Sequence, residues 1–552
     1  MPTDNARRAK MDDSKKSNAV NAYHNISKHF PNRFADGPMY LDWKSQPEPF
    51  RTYEGAELFQ LDRRLSFPSL CFDELCMDPV NSEELTGQTI SLFFRMSLGL
   101  SAWKKVNGHK WALRINPSSG NLHAEEAYLI CSNIDEINAG VHHYNSLHHR
   151  LERRVIPSAS FTRIIDRLGG FCVGLSSIHW REEWKYGERA WRYTQLDIGH
   201  AIAAIAFAAR MLGWKANVIS EIADSDLSKL LGLDRDEDFG PAEREVVDSL
   251  VFISDNKTST IPSYDSIQAL VEGVFNGRWL GEANILSQLH EHEWPQIVNI
   301  AQAVKKPATS QIRIRAEQTA SSSTIGKDVN AWQTISSRRS GQTYDGHTTL
   351  SIRQFIEILK STIPSFNPMP FSVFDWQPFI HPILFVHRVE GLEKGIYALI
   401  RRNGVVDVMK DAMKKSLLWE KPVASPEQME FYLLIRGDFK QASKLVSCHQ
   451  SIASDGCFSA GMLAEFDYPI SLGPWWYRRL FWEAGAVGHA LYLTCEVAGI
   501  RGTGIGCYFD DSFHELLGLY TTVFQSVYHF TAGGYVDDHK LTTLPPYSDL
   551  GD

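Results

Sequence analysis

Apolar positions along this chain fall into two patterns that each occur twice. From Ile198 to Leu212, and again from Ala484 to Ala498, apolar residues run with a helical period and few charges, which predicts two long buried helices. Leu129-Ile130 ahead of Gly140-Val141, and Leu384-Phe385 ahead of Gly395-Ile396, read as strand, turn, strand. Trp191-Arg192, Asp197, Gly199 and Gly213 are answered by Tyr477-Arg478, Glu483, Gly485 and Gly499, each 286 residues later, and the strand pairs are offset by 255. A helix and a strand pair in each half predict an α+β fold built by duplication of one unit, with chance likeness of amphipathic segments as the alternative. A duplicated unit in one chain imitates a homodimer, so a site at a twofold interface becomes a site between halves.

Length agrees, because 552 residues exceed one ordinary core. The stretch from about Lys305 to Asn330, with Arg313, Arg315, Glu317 and Ala320 to Thr324, is small, polar and without period. It reads as a linker, or as a solvated loop within one domain. The expected division is a disordered tail over 1–20, a first domain over 21–303, a linker over 304–330 and a second domain over 331–552. A net charge of -9 argues against nucleic acid as a bulk electrostatic partner. No apolar run has transmembrane length, and Met1 to Val20 lacks an apolar signal core, so a cytoplasmic protein without membrane contact is expected. Eight scattered Cys without a C-x-x-C pair read as reduced.

Four segments could carry chemistry. Arg338-Arg339-Ser340 offers paired guanidinium donors and a hydroxyl to a phosphate, or is a basic turn before a helix. Pro117-Ser118-Ser119-Gly120-Asn121 is a donor-rich tight turn, able to present amides to a heterocycle or to be an ordinary loop. Gly502-Thr503-Gly504 permits close approach of backbone to a flat ligand; Cys507 replaces the last Gly of a dinucleotide fingerprint, and the segment follows a helical pattern, so that reading fails. Lys185-Tyr186 could move a proton, or be part of a charged helix start. His142, His143, His148 and His149 crowd a turn without completing a metal spacing, so no metal is expected.

Together these segments resemble the SagB-type branch of the nitroreductase superfamily, which includes thiazoline and oxazoline dehydrogenases. Pro117 to His123 is similar to its Pro-Ser-x-Gly turn, Lys185-Tyr186 to Gly199-His200 to its Lys-Tyr motif, and Ile335 to Ser340 to the Arg-Arg-Ser start of an ordinary nitroreductase domain. The resemblance implies two tandem nitroreductase-like domains forming an intramolecular pseudo-dimer around FMN. Arg338, Arg339 and Ser340 would hold the phosphate. Pro117, Ser118, Ser119 and Asn121 would reach the flavin from the other half, Gly502, Thr503 and Gly504 would line the ring, and Lys540 sits where a basic residue often meets the phosphate. Lys185 and Tyr186 would be catalytic. The reaction would be two-electron transfer at flavin N5 on a small-molecule or heterocycle-bearing substrate, in a chain monomeric because its dimer is fused. The alternatives are an NAD(P)H-dependent nitro or quinone reductase and a non-enzymatic FMN-sequestering protein, covered by an insertion around Asp224 to Ser266. Arg63-Arg64-Leu65 lacks the hydroxyl, and Ser372 to Trp376 lacks the Ser-rich turn, so one FMN per chain is expected.

Overall fold

The computed structural model describes residues 4–77, 81–255, 261–290, 292–310 and 326–548, with side chains from Ser14 onward. Its helices used below are α1 (Asp4–Ile26), α2 (Trp180–Tyr186), α3 (Ala190–Met211), α4 (Asp224–Leu231), α5 (Trp476–Val497) and α6 (Asp510–Leu517). The strands are β1 (Leu100–Val106), β2 (Glu125–Cys131), β3 (Gly140–Asn145), β4 (Arg150–Ile156), β5 (Gly170–Ser177), β6 (Lys215–Val218) and β7 (Val246–Ser254) in the first half. The second half has β8 (Ile380–Val386), β9 (Gly395–Ile400), β10 (Glu430–Arg436), β11 (Phe458–Glu465), β12 (Arg501–Ile505), β13 (Phe524–Gly533) and β14 (Thr542–Leu544).

The fold is α+β, with two antiparallel sheets of the same strand order. The first runs β4-β3-β2-β5-β7-β6 and carries short edge strands on β4; the second runs β10-β9-β8-β11-β13-β12. The predicted strand pairs are β2–β3 and β8–β9, and the predicted helices are α3 and α5, each of 22 residues and 286 apart. Both helices are buried nearly all round, so they carry almost no polar stripe. They pack on each other at the glycines the repeat singled out. A Cβ on Gly199 would fall 2.3 Å from the Trp482 carbonyl oxygen, and one on Gly485 2.3 Å from that of Leu196.

Contacts across the crossing are exchanged between halves. Arg192 pairs with Asp510 at 2.7 Å, and its counterpart Arg478 pairs with Asp224, the counterpart of Asp510, also at 2.7 Å. Trp191 stacks on its own counterpart Tyr477 at 5.1 Å. Reciprocal contacts of this kind are what an isologous interface produces. All four ion-pair partners are buried, so removing one leaves an uncompensated charge at a cost of about 3–5 kcal/mol.

Several expectations change. The tail expected to be disordered over 1–20 is helical from Asp4 onward; Val20 at its end is buried, as is Tyr23, which packs against Trp191 and Tyr477. The stretch from Asp224 to Ser266, read as a covering insertion, supplies α4 and the inner strand β7, so these described residues build the sheet. Lys306, placed in the linker, is buried and bonds the Ile222 and Pro307 carbonyls; Arg313, Arg315, Glu317 and Ala320 to Thr324 lie outside the described residues. The last strand, β14, leaves the second half and pairs with β1 of the first. Among the described residues, no helix is long and apolar enough to cross a membrane.

Candidate functional site

A cavity of about 1000 Å³ opens where the halves meet, lined by residues of both. The first half contributes the turn Pro117 to Asn121, Tyr186 at the end of α2, and Tyr193, Asp197 and His200 of α3. The second contributes Arg338 to Gly341, Tyr492 of α5, Gly504 to Cys507 and Tyr528 of β13.

The turn is held by its own polar atoms. Gly120 and Asn121 both have left-handed φ, near 58° and 59°, which these two residue types tolerate best. Ser118 Oγ accepts from the His123 amide, Asn121 Nδ2 donates to the Ala112 carbonyl, and the Ser119 amide and hydroxyl both donate to Asp197. The side chains of Ser119 and Asn121 are therefore engaged within the wall they form. Gly120 faces the Lys-Tyr pair: a Cβ there would lie 2.4 Å from Tyr186 Oη and 3.0 Å from Lys185 Nζ. The structure thus brings together two segments 64 positions apart that the sequence picks out separately.

The opposite wall is basic. Arg338 is 5% exposed, its Nε has no hydrogen-bond partner, and its guanidinium lies 5.1 Å from the Tyr492 ring centre. Arg339 is anchored on the Ser336 and Arg338 carbonyls, and burial followed by the neighbouring Arg338 brings its pKa down to about 10. Lys104 of β1, held to Thr543 at 2.7 Å, is lowered by burial and then by Arg339 and Arg501. These cations crowd one end of the cavity and depress each other, which an anion placed among them would relieve. Ser340 Oγ meets the Tyr492 hydroxyl at 3.0 Å, and that hydroxyl accepts from the Gly504 amide.

Pro117, Ser118, Ser119, Asn121, Tyr186, Arg338, Arg339, Ser340 and Gly504 all line the cavity. Gly502, Thr503, Lys185 and Lys540 do not. Gly502 is packed on Phe530, Thr503 Oγ1 donates to the Gly341 carbonyl, Lys185 stands behind Gly120, and Lys540 is exposed on the rim. Sequence reading missed Lys104, Tyr193, Tyr492, Cys507 and Tyr528. Their residue types are common and their spacing carries no signal; the pairing of β14 with β1 that brings Lys104 to the cavity is purely tertiary. Asp197 was visible only as one marker of the repeat.

The equivalent segment of the second half carries bulkier side chains. Val373, Phe374 and Trp376 are buried, and Trp376 lies under the Arg479 guanidinium at 4.7 Å.

A solved structure from Anabaena variabilis ATCC 29413, of a protein assigned as a nitroreductase, is similar to this chain with a TM-score of 0.65 at 20% identity. The likeness covers 94% of this chain and 99% of that one, so it includes both sheets. This is a nitroreductase fold. The Nitroreductase family profile matches residues 110–240, which within the fold hold the serine-rich turn, α2 and α3. Over 130 residues the chain is 33% identical to the trifolitoxin-processing protein TfxB of Rhizobium leguminosarum bv. trifolii, covering 21% of this chain. The chain spans 35% of the length of that curated relative.

Proposed function

We propose that the halves form a fused nitroreductase-like pair that binds one FMN in the cavity between them and carries out two-electron oxidoreduction. The observation that carries this reading is a buried, incompletely satisfied Arg338 on one wall and the Ser118-Ser119 turn on the other, around a volume large enough for a flavin nucleotide. The residues fit the group. Arg338, with Arg339, Ser340 and Lys104 beside it, would hold the phosphate as paired, charge-assisted donors. The Pro117 to Asn121 turn and the Gly504 backbone would bound the ring. When bound, the flavin supplies the two-electron chemistry, and the protein binds and orients it.

The chain's own residues supply the rest. Tyr186 is at the cavity wall with Lys185 behind it, so a proton can be exchanged where the turn and α2 meet. The identity to a trifolitoxin-processing protein supports a SagB-like reaction on a heterocycle-bearing substrate over general NAD(P)H-dependent reduction. An absorption spectrum of the purified protein, followed by anaerobic titration with NADPH, tests cofactor, stoichiometry and donor together. The expected result is one flavin per chain, lost in Arg338→Ala and kept in Arg64→Ala. A colourless protein that takes up no added FMN would sink the reading.

A further inference from the structure

Beside the serine-rich turn lies a carboxyl that the flavin reading leaves without a task. Glu182 is fully buried, and no backbone amide, hydroxyl or guanidinium group satisfies its carboxyl oxygens. It sits on α2, one turn ahead of Lys185 and Tyr186. Facing it from α3 is Asp197, 1% exposed, which lines the cavity and accepts from the amide and hydroxyl of Ser119. Three other buried carboxylates are matched to guanidinium groups, Glu125 to Arg114, Glu126 to Arg181 and Asp510 to Arg189 and Arg192, while Asp248 and Glu188 each keep an unsatisfied oxygen. Among the described residues, Glu182 and Asp197 have no guanidinium partner.

The groups around the pair are few. Asp197, Lys185 and Glu125 act on Glu182; Glu125, Ser118 and Ser119 act on Asp197; Glu182, Tyr193, Asp197 and Cys507 act on Tyr186. Burial first pushes both carboxyls well above the usual carboxylate range, followed by the Asp197 charge for Glu182 and by the Glu125 charge for Asp197. Two desolvated carboxyls this placed do not both ionise, as in other carboxyl pairs that share a proton.

We propose that Glu182 and Asp197 hold one proton between them and serve as the proton acceptor for the Tyr186 edge of the cavity. This rests on the flavin reading above. Removing two hydrogens from a substrate sends a hydride, with both electrons, to the flavin and leaves one proton to be taken up. The Asp197 carboxylate, at the wall, takes that proton, while Glu182 stays a neutral acid throughout. The pair passes from one proton to two, and from one negative charge to none. The added proton leaves to water through the cavity before the next turnover.

Infrared spectroscopy of the purified protein in deuterated buffer reads the C=O stretch of a protonated carboxylic acid without any turnover. The band should persist at mildly alkaline pH, vanish in Glu182→Gln, and remain in Glu183→Gln, whose own pKa is raised only to about 7 by burial. A band unchanged in Glu182→Gln overturns the proposal. Should that variant not fold, uniform carbon-13 labelling of glutamate in the unaltered chain must shift the alkaline-persistent band; an unshifted band is equally fatal. In turnover assays, Asp197→Asn should lower kcat about a hundredfold with flavin content unchanged, and full kcat would remove the transfer role. A protein without flavin sinks the cofactor reading while leaving the infrared result to stand or fall alone.

Discussion

The turn at Pro117 to Asn121 and its counterpart at Ser372 to Trp376 occupy equivalent places in two sheets of one topology, yet one borders a cavity with small polar side chains and the other presents buried aromatic ones. In the first, small polar side chains spend their hydrogen bonds on the turn and leave a volume of about 1000 Å³ in front of it. In the second, Phe374 and Trp376 are buried and Arg479 lies over Trp376. The acids beneath follow suit. Asp197 faces Ser119 and another acid, whereas its counterpart Glu483 is neutralised by Arg401 and by the Phe379 and Ile380 amides. One sheet topology thus occurs twice, while side-chain volume and charge differ in front of it.

Breaking the scaffold itself should have the largest effect. Gly199→Leu puts a side chain where a Cβ alone would sit 2.3 Å from the Trp482 carbonyl oxygen and 2.7 Å from its Cα, both backbone atoms that cannot swing away. The expected cost is at least about 3 kcal/mol, read as lost soluble yield or a large fall in the urea midpoint, with Gly485→Leu equally severe. If either variant keeps native stability, the crossing of α3 and α5 does not organise the two halves.

Exchanging the two turns is the sharper and smaller test. Ser119→Phe brings the second half's residue into the first and obstructs the cavity. FMN affinity should fall about a hundredfold, near 2.7 kcal/mol, measured by fluorescence titration of the flavin-stripped protein. The reverse change, Phe374→Ser, empties a buried aromatic at a cost of about 3 kcal/mol or more, and creates no second flavin site, because Arg401 and Arg479 have no Ser-rich turn opposite them. Unchanged affinity in Ser119→Phe would detach that turn from the cofactor.

Much of this frame was legible beforehand. The 286-residue repeat located α3, α5 and the glycines of their crossing because a buried helix must be apolar all round, and that pattern survives in sequence. The 255-residue repeat located β2–β3 and β8–β9 for the same reason. Arg338 and Ser118 were found as short motifs, and their meeting in one cavity follows from the exchanged contacts of Arg192 and Arg478. What escaped depends on long-range placement. Lys104 reaches the cavity beside β14, a strand from the second half, and Tyr23 is buried against Trp191 and Tyr477, which lie far from it in sequence. Glu182 looks in sequence like any charge on a helix; only its neighbours reveal that it is buried with no guanidinium, amide or hydroxyl to satisfy it.

The two sheets also differ in one buried histidine each, and pH should separate them by the smallest effect. His143 on β3 donates one ring nitrogen toward Glu126 at 2.8 Å and the other toward Glu152 at 3.0 Å, and these carboxylates outweigh burial and hold its pKa up near 9. His381 on β8 has Glu465 on one side, but its other nitrogen accepts the Arg401 amide, so burial prevails and its pKa is lowered. For His143 the folded pKa lies above the unfolded value of about 6.5, so its stabilisation is complete below that pH and is lost as pH rises through about 9. For His381 the folded pKa lies below it, so its contribution is present above about 6.5 and lost as pH falls. Urea midpoints across the alkaline range should decline by the equivalent of about 1–3 kcal/mol in the unaltered chain. His143→Gln should start lower and lose that slope, while His381→Gln should keep it and change only the acid limb. An alkaline slope that survives His143→Gln would mean the ring is neutral in the fold and the two sheets treat their histidines alike.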